Sequence, residues 1–382
     1  MSTNAKIPLY QKIYNEIKSQ ILSGQYPPGE RIPTELEISE AYSVSRITAT
    51  RAVKDLETDG YIHRIRKRGS IVNPPQQYRE NQSANSSIAI ILPFDMDVSL
   101  EICDGAQSNA LLYNHTISLF NSAHSKAQER KIIEDLLKID VQGFVVWPTG
   151  MYENLDVFSK IQIQHKPLVF LDFPKVGIHA PCVSADNQKA MRQVTNYAIS
   201  KGHRRIAFCG TSIKEKWTEG ERFKGYIQAL IEHQLIPQEE LFVEILAPAP
   251  SGGEAVEENS TRQALQRLMA LPEPPTAIVC INDTCATHIE REALALNIPI
   301  PQTLSIIGVD NRSICQLMPV PITSVKQNFR AIGEKAVEII EQLRRGVPCE
   351  DKYTFDVEIV ERSSVLDLSA AANQKPEKSA GF

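Results

Sequence analysis

Apolar positions recur along this chain with two different periods, and the change from one to the other divides it. Over residues 8–23, Tyr10, Ile13, Tyr14, Ile17 and Ile21 fall on one side of a helical wheel. That spacing predicts an amphipathic helix, broken by the loop sequence GQYPPG at 24–29. Thr34 and Glu37 have the spacing of a capping box, so a second helix is expected to open at Thr34 and carry Leu36, Ile38 and Ala41 inward. After the short turn Tyr42-Ser43-Val44, Ser45 is a good N-cap for a third helix. Ala49, Ala52, Val53 and Leu56 then repeat at i, i+3, i+4, i+7 and predict its buried face. The opposite face holds Ile47, Thr50, Arg51 and Lys54, with Arg46 at its N-terminal edge. Beyond Asp59-Gly60 the sequence YIHRIRKRGSIV alternates around a turn near Arg68-Gly69, with Tyr61, Ile62, Ile65, Ile71 and Val72 as strand residues of a hairpin.

The pattern then changes. NPPQQYRENQSANSS at 73–87 has no large aliphatic residue and reads as a linker. From Ile88 short apolar runs alternate with helical stretches. The runs are IAIILP, TISLF, GFVVWP, PLVFLD, RIAFC, LFVEIL, TAIVCI and LSIIGV; RKIIEDLLKI, MRQVTNYAI, ERFKGYIQALIE and RQALQRLMA are among the helical segments. Strands apolar on both faces and separated by such helices predict parallel sheets with βαβ crossovers. About ten strands in some 280 residues point to two lobes rather than one open sheet. From Ser363 onward the chain is small and polar and reads as a tail. The expected organisation is therefore an α+β winged helix-turn-helix at 1–72, a linker at 73–87, a two-lobed α/β body with parallel sheets at 88–366, and a disordered tail at 367–382.

Charge follows the same division. The chain has 382 residues and a formal net charge of −5, yet residues 1–72 hold 11 Lys+Arg against 8 Asp+Glu and the remainder holds 30 against 38. A basic head on an acidic body suits an electrostatic nucleic-acid footprint that the body does not share. No apolar run approaches the roughly 18 residues of a membrane span, and the N-terminus lacks the layout of a signal peptide. Seven cysteines without a C-x-x-C fit a reducing cytosol better than a disulfide frame. The expectation is a cytoplasmic protein that takes no membrane partner.

Arginines at the outward N-terminal end of a packed helix, beside a hairpin carrying His63, Arg64, Arg66, Lys67 and Arg68, are built to meet an anion. The bland alternative is a solvated charged surface, but the adjoining helix-turn-helix favours double-stranded DNA. Residues 8–72 also resemble the winged helix-turn-helix of GntR-type bacterial regulators, through PLYQKIYNEIKSQILSGQYPPGERIPTE, VSRITATRAVKDLETDGYI and the hairpin, or wing. The resemblance implies DNA contacts from Arg31, from Arg46 and from the wing around Arg68 and Gly69. Two departures, Thr50-Arg51 where many relatives carry consecutive arginines and Lys67 where they carry Gly, imply a different operator. The DNA-facing set is thus Arg31, Thr34, Ser45, Arg46, Ile47, Thr50, Arg51, Lys54, Arg66, Lys67, Arg68 and Gly69.

The body resembles the effector-binding domain of LacI-type regulators, itself akin to periplasmic sugar-binding proteins. KGHRRIAFCG (201–210), ERFKGYIQAL (221–230), PTAIVCINDTCA (275–286), LSIIGVDN (304–311) and PITSVKQNFRAIGEKAVEII (321–340) carry the likeness. The same fusion of head and body occurs in arabinose-responsive bacterial regulators. The resemblance implies three inter-lobe crossovers, near Ala185-Asp186, Asp310-Arg312 and Ile322-Val325, with a ligand in the cleft between the lobes. Carried over by position, the ligand candidates are Asp172, Arg222, Asn282 and Asp310. They lie at strand C-termini or at helix starts, where open α/β sheets place ligands, and their acceptors and planar donor fork suit vicinal hydroxyls or a carboxylate. Phe94, Trp147, Phe173 and Trp217 are candidates to stack on a sugar face. Each has a structural alternative: Asp310 as a cap, Asn282 in a turn, Trp147 in the core.

Other signals carry less. Gly202-His203 reads as a polar turn entering a strand, Cys280 and Cys285 lack zinc-site spacing, and Ser251-Gly252-Gly253 lacks a P-loop lysine. No nucleophile has its base, so neither catalytic residue, metal nor cofactor is expected. The sequence thus implies a homodimeric, ligand-responsive transcriptional regulator, a repressor controlled by a monosaccharide, on a pseudo-palindromic operator. An activator, a purine-responsive regulator, or a sugar-binding or sugar-processing protein are the alternatives.

Overall fold

A computed structural model describes residues 8–65, 68–74, 87–93, 96–211, 217–245 and 254–369. The head contains α1 (Leu9–Leu22), α2 (Glu35–Ala41), α3 (Arg46–Thr58) and the antiparallel pair β1 (Ile62–Ile65) and β2 (Gly69–Val72), with Ile62 opposite Val72 and Ile65 opposite Gly69. Ile13, Ile17 and Ile21 from α1 meet Ala49, Ala52, Val53 and Leu56 from α3, closed by Ile32, Ile38, Tyr61, Ile62 and Val72. The helical spacing therefore picks out the core of α1 and α3. In α2 it does not: only Ile38 is buried, Leu36 is 56% exposed, and Ala41 is also exposed. Leu36 lies about 200° around a two-turn helix from Ile38, so one inward face cannot hold both.

The linker begins later than the composition suggests. Asn73 is buried, donates from Nδ2 to the Gly60 carbonyl at 2.6 Å, and its Oδ1 meets His63 Nδ1 at 2.5 Å, closing the hairpin onto the end of α3. Ser87 already pairs with Thr116 in the body. The intervening residues 75–86 lie outside the described residues.

The body's chain runs β3 (Ser87–Leu92), α4 (Met96–Leu112), β4 (Thr116–Asn121), α5 (Lys126–Leu136), β5 (Gly143–Val146), α6 (Leu155–Ile163), β6 (Leu168–Leu171), β7 (Cys182–Ala185) and α7 (Asn187–Ser200). It continues through β8 (Ile206–Gly210), α8 (Trp217–Glu232), β9 (Phe242–Glu244), α9 (Glu254–Met269), β10 (Ala277–Cys280), α10 (Asp283–Ala295), β11 (Ser305–Asp310) and α11 (Ile314–Leu317). Last come β12 (Thr323–Gln327), α12 (Phe329–Arg344), β13 (Lys352–Phe355) and β14 (Val357–Val360). The strands form two six-stranded sheets, ordered β13-β7-β6-β5-β3-β4 and β14-β12-β11-β10-β8-β9. All pairings are parallel except β12 with β14. Every apolar run named above supplies one of these strands; β3, β5, β6, β8, β10 and β11 are buried as strands covered by helices on both sides, whereas the edge strands β4 and β9 are partly exposed.

Lobe one carries the first sheet and lobe two the second, so the crossovers follow from strand order. One lies at 185–187, between β7 and α7, as the resemblance implies. The other two lie at Asn328, between β12 of lobe two and α12 packed on lobe one, and at Asp356, between β13 and β14. Segments 310–312 and 322–325 are not crossovers: the first joins β11 to α11 within lobe two, and the second enters β12. A family likeness places the motifs but not which sheet each strand joins.

The expected tail also begins too early. Ser364 is buried and donates to the Ile306 carbonyl at 2.6 Å, and the Leu368 amide donates to the Lys201 carbonyl at 2.7 Å. His203 is buried too, with Nε2 3.1 Å from the Leu366 carbonyl, so Gly202-His203 anchors this segment. Residues 370–382 lie outside the described residues.

Candidate DNA-binding surface and inter-lobe site

In the head, Thr34 accepts the Glu37 amide at 3.3 Å while its own amide donates to Glu37 Oε2 at 2.6 Å, a complete capping box. Ser45 Oγ accepts the Thr48 amide at 3.2 Å and starts α3. Both hydroxyls therefore fix helix starts. Arg46, Ile47, Thr50, Arg51 and Lys54 are all exposed, Ile47 by 83%. Ile47 is about as bare as Ile236, at 82%, on the body, so it is its place on α3 beside Arg46, and not its exposure, that makes it a candidate contact. Arg51 is not a loose side chain: its guanidinium lies 3.8 Å from the Tyr10 ring centroid and donates to the Tyr10 hydroxyl at 3.2 Å, tying α3 to α1.

The wing is braced from beneath. Arg64 bridges Glu35 at 3.1 Å and Glu57 at 3.0 Å, so it joins the hairpin to α2 and α3. Arg31 pairs with Glu37 at 3.3 Å, and its backbone bridges Ile71. Gly69 has φ +87°, so the backbone at the tip favours glycine; a Cβ there would lie 3.2 Å from Cδ of the exposed Arg31 side chain. Among the described residues Arg46, Lys54 and Arg68 have no carboxylate partner; Arg66 and Lys67 lie outside them. All three are exposed, two on α3 and one at the hairpin turn, and exposed cations of this kind suit phosphate and base contacts.

In the body, three of the four polar ligand candidates form one hydrogen-bonded chain. Arg222, on α8 and only 6% exposed, donates from Nε to Asn187 Oδ1 at 2.9 Å, from Nη1 to the Ile281 carbonyl at 2.5 Å and from Nη2 to Asp310 Oδ1 at 3.1 Å. Gln327 Nε2 donates to the same Asp310 oxygen at 2.6 Å. Asn187 Nδ2 reaches Asp172 Oδ1 at 3.3 Å, and Thr218 Oγ1 donates to Asp172 Oδ2 at 2.5 Å. Asp172 follows β6 in lobe one and Thr218 belongs to lobe two, so this last bond spans the cleft. Burial pushes the Asp172 carboxyl above its ordinary range, against the pull of Thr218 and the Arg222 charge. Asp172 and Asp310 also take positive φ, +68° and +113°. Strain of on the order of 1–3 kcal/mol at such residues is often retained where a site needs it.

Asn282 does not join the chain. Its side chain accepts the Cys285 amide at 2.9 Å and caps α10, a structural role that is neither the ligand contact nor the turn considered for it above. Trp147 is partly buried and, with Asp172, Gln327 and Phe329, lines a cavity of about 10 Å³, the room of roughly one water. Phe173 is partly buried outside that cavity, Trp217 is 40% exposed with Lys224 Nζ 6.0 Å from its ring, and Phe94 lies outside the described residues. Asn187, Thr218 and Gln327 were not singled out by sequence. Two of them flank crossovers, a signal that becomes readable only once strand order is known.

A capped helix-turn-helix with a wing, joined to two parallel-sheet lobes around a polar cleft, defines a two-part class: a nucleic-acid-binding head on a small-molecule-binding body. Residues 9–72 match the model for bacterial regulatory proteins of the gntR family, and residues 195–365 match that for a periplasmic binding protein-like domain. The head is thus similar to gntR-type regulators, and the later part of the body to periplasmic-binding-protein-like domains. It is 26% identical over 374 residues to the arabinose metabolism transcriptional repressor of Geobacillus stearothermophilus, covering 95% of this chain and 99% of that one. It is 28% identical over 272 residues to the HTH-type transcriptional repressor PurR of Vibrio atlanticus, covering 70% and 78%. Among solved structures it is similar to the transcription regulator CcpA of Lactococcus lactis (TM-score 0.64, 24% identity, 74% of this chain and 99% of that one). It is also similar to the transcriptional regulator CelR in its cellobiose complex (TM-score 0.64, 17% identity, 94% and 100%). At those identities the two structures speak for the fold. Among the described residues no helix is long and apolar enough to cross a membrane.

Proposed function

We propose that this chain is a cytoplasmic transcriptional repressor that binds double-stranded operator DNA as a homodimer and responds to a monosaccharide in the inter-lobe cleft. The observation that carries the DNA half is the capped α3 presenting Arg46, bare Ile47, Thr50 and Lys54 above a fully packed core. In this reading Arg31 and Arg68 contact phosphates and set the register, while Arg46 and Ile47 read base edges, Ile47 through a thymine methyl. Two heads on one two-fold body face half-sites about one helical turn apart on a pseudo-palindrome. The effector half rests on the Asp172–Asn187–Arg222–Asp310–Gln327 chain. Its acceptors suit hydroxyl donors, and Arg222 serves as the brace that holds them rather than as a ligand contact. The full-length relative that represses arabinose metabolism supports a sugar.

A purine is the second reading, favoured by the flat face of Trp147 beside Asp172 and by the PurR relative. Isothermal titration of the full chain with pentoses, hexoses and nucleobases tests both. Saturable heat with a sugar supports the proposal, heat with a nucleobase alone supports the second reading, and conversion of any sugar to product would make the protein an enzyme.

A further inference from the structure

We infer that the segment 310–313 couples the inter-lobe site to a second contact across the cleft, and that Asp283 is the positioning residue that holds this segment in place. The inference does not depend on which small molecule the cleft takes. At one end of the segment, Asp310 receives Arg222 and Gln327. At the other, Ser313 donates from its amide at 3.0 Å and from Oγ at 2.7 Å to Asp97 Oδ2, on the first turn of α4 in lobe one. The backbone between these ends is strained, with φ +113° at Asp310 and +54° at Asn311, and two successive amides are pinned there. The Arg312 amide donates to Asp283 Oδ2 at 2.7 Å. The Asn311 amide donates to Ser324 Oγ at 3.0 Å, whose hydroxyl donates to Asp283 Oδ1 at 2.6 Å.

Asp283 is fully buried at the start of α10, and the fold leaves room for it at one place. A Cβ at Gly308 would lie 2.1 Å from Asp283 Oδ1, so the glycine on β11 makes the carboxylate's approach possible. The buried carboxylate also takes a hydrogen bond from the Cys315 thiol; the bonds from the Arg312 amide and the Ser324 hydroxyl are charge-assisted and directional, and removing the charge weakens them. One side chain thereby fixes the angle between the Arg222–Asp310 pair and the Ser313–Asp97 latch. Burial pushes the Asp283 carboxyl up to about 6, against the Ser324 and Arg312 hydrogen bonds. The ionisable groups that face it are Arg312, the Cys315 thiol on α11 and the Cys280 thiol at the end of β10.

Hydrogen–deuterium exchange on the full chain tests this without any ligand. Asp283→Asn is expected to lower protection at amides 311–313 by about tenfold or more, and with it protection at residues 100–104 of α4 in the other lobe. Ser313→Ala should lower protection at 100–104 while sparing 311–312. Should Asp283→Asn fail to fold, Ser324→Ala removes the same Asn311 support and is expected to loosen both places. Loosening of 311–313 with α4 unchanged, or no change at either place, would overturn the inference.

Discussion

Replacing Arg222 by alanine removes three donors from a closed setting, and the structure sets the size of the effect. Asp310 loses its 3.1 Å ion-pair partner, the Ile281 carbonyl and Asn187 Oδ1 lose their donors, and little of this is open to water, since the Arg222 side chain is 8% exposed and that of Asp310 15%. Breaking a buried pair from one side costs about 3–5 kcal/mol; Asp310 keeps the Gln327 donor at 2.6 Å, so the lower end of that range is expected. For a body of this size about 2 °C of melting temperature accompanies each kcal/mol, so Arg222→Ala should melt roughly 6 °C lower. Arg222→Lys keeps the charge but not the planar fork that reaches three acceptors, and should recover only part of the loss. Calorimetric melting of the full chain without any sugar is the assay. Arg222→Ala within about 1 °C of wild type, with loss of sugar binding only, would refute the brace and return Arg222 to the role of a ligand contact.

Arg46→Ala should weaken binding to a specific operator by about 1–3 kcal/mol in a fluorescence titration, with little effect on melting; an unchanged affinity would mean that another face of α3 meets DNA. Asn282→Ala should cost about 1 kcal/mol of stability by losing the α10 cap, whereas Asn282→Asp should not, and effector affinity should follow the cap rather than the amide. Burial alone would raise the Glu341 carboxyl, but His115, Arg344 and Arg345 overcome it and bring it from 4.5 down to about 2. A depressed carboxyl contributes stability that is present above pH 4.5 and lost as the pH falls through about 2, here roughly 3 kcal/mol. Urea midpoints between pH 7 and pH 2.5 should show that loss in the wild type and not in Glu341→Gln.

The head was legible almost residue by residue because it is local. Caps, the i, i+4 face of α3 and the glycine at the wing tip each depend on neighbours a few positions away, so Ser45, Ala49, Ala52, Val53 and Leu56 take the places their spacing predicts. Leu36 misled because hydrophobicity alone does not say which way a seven-residue helix turns. Eight of the twelve described strands of the body were legible as apolar runs; β7, β12, β13 and β14 were not, nor was strand order, and with it went two of the three crossovers. The inter-lobe chain was half visible for the same reason. Asp172, Arg222 and Asp310 carry the chemistry at strand ends, whereas Asn187 and Gln327 become partners only when β7 and β12 lie in different sheets. Asn282 shows the converse: polar, at a strand end, and used by its own helix.

The central claim joins a DNA-reading head to a ligand-sensing body, and one titration addresses both. Full-length protein would be bound to a duplex selected from a random pool, by fluorescence anisotropy, with and without L-arabinose and D-ribose over a range of salt. Affinity should exceed that for unrelated duplexes by about a thousandfold or more, fall steeply with salt, and change by roughly 5–150-fold on saturation with a sugar that binds. Equal affinity for every duplex, with a flat salt response and no change on saturation, would contradict the account.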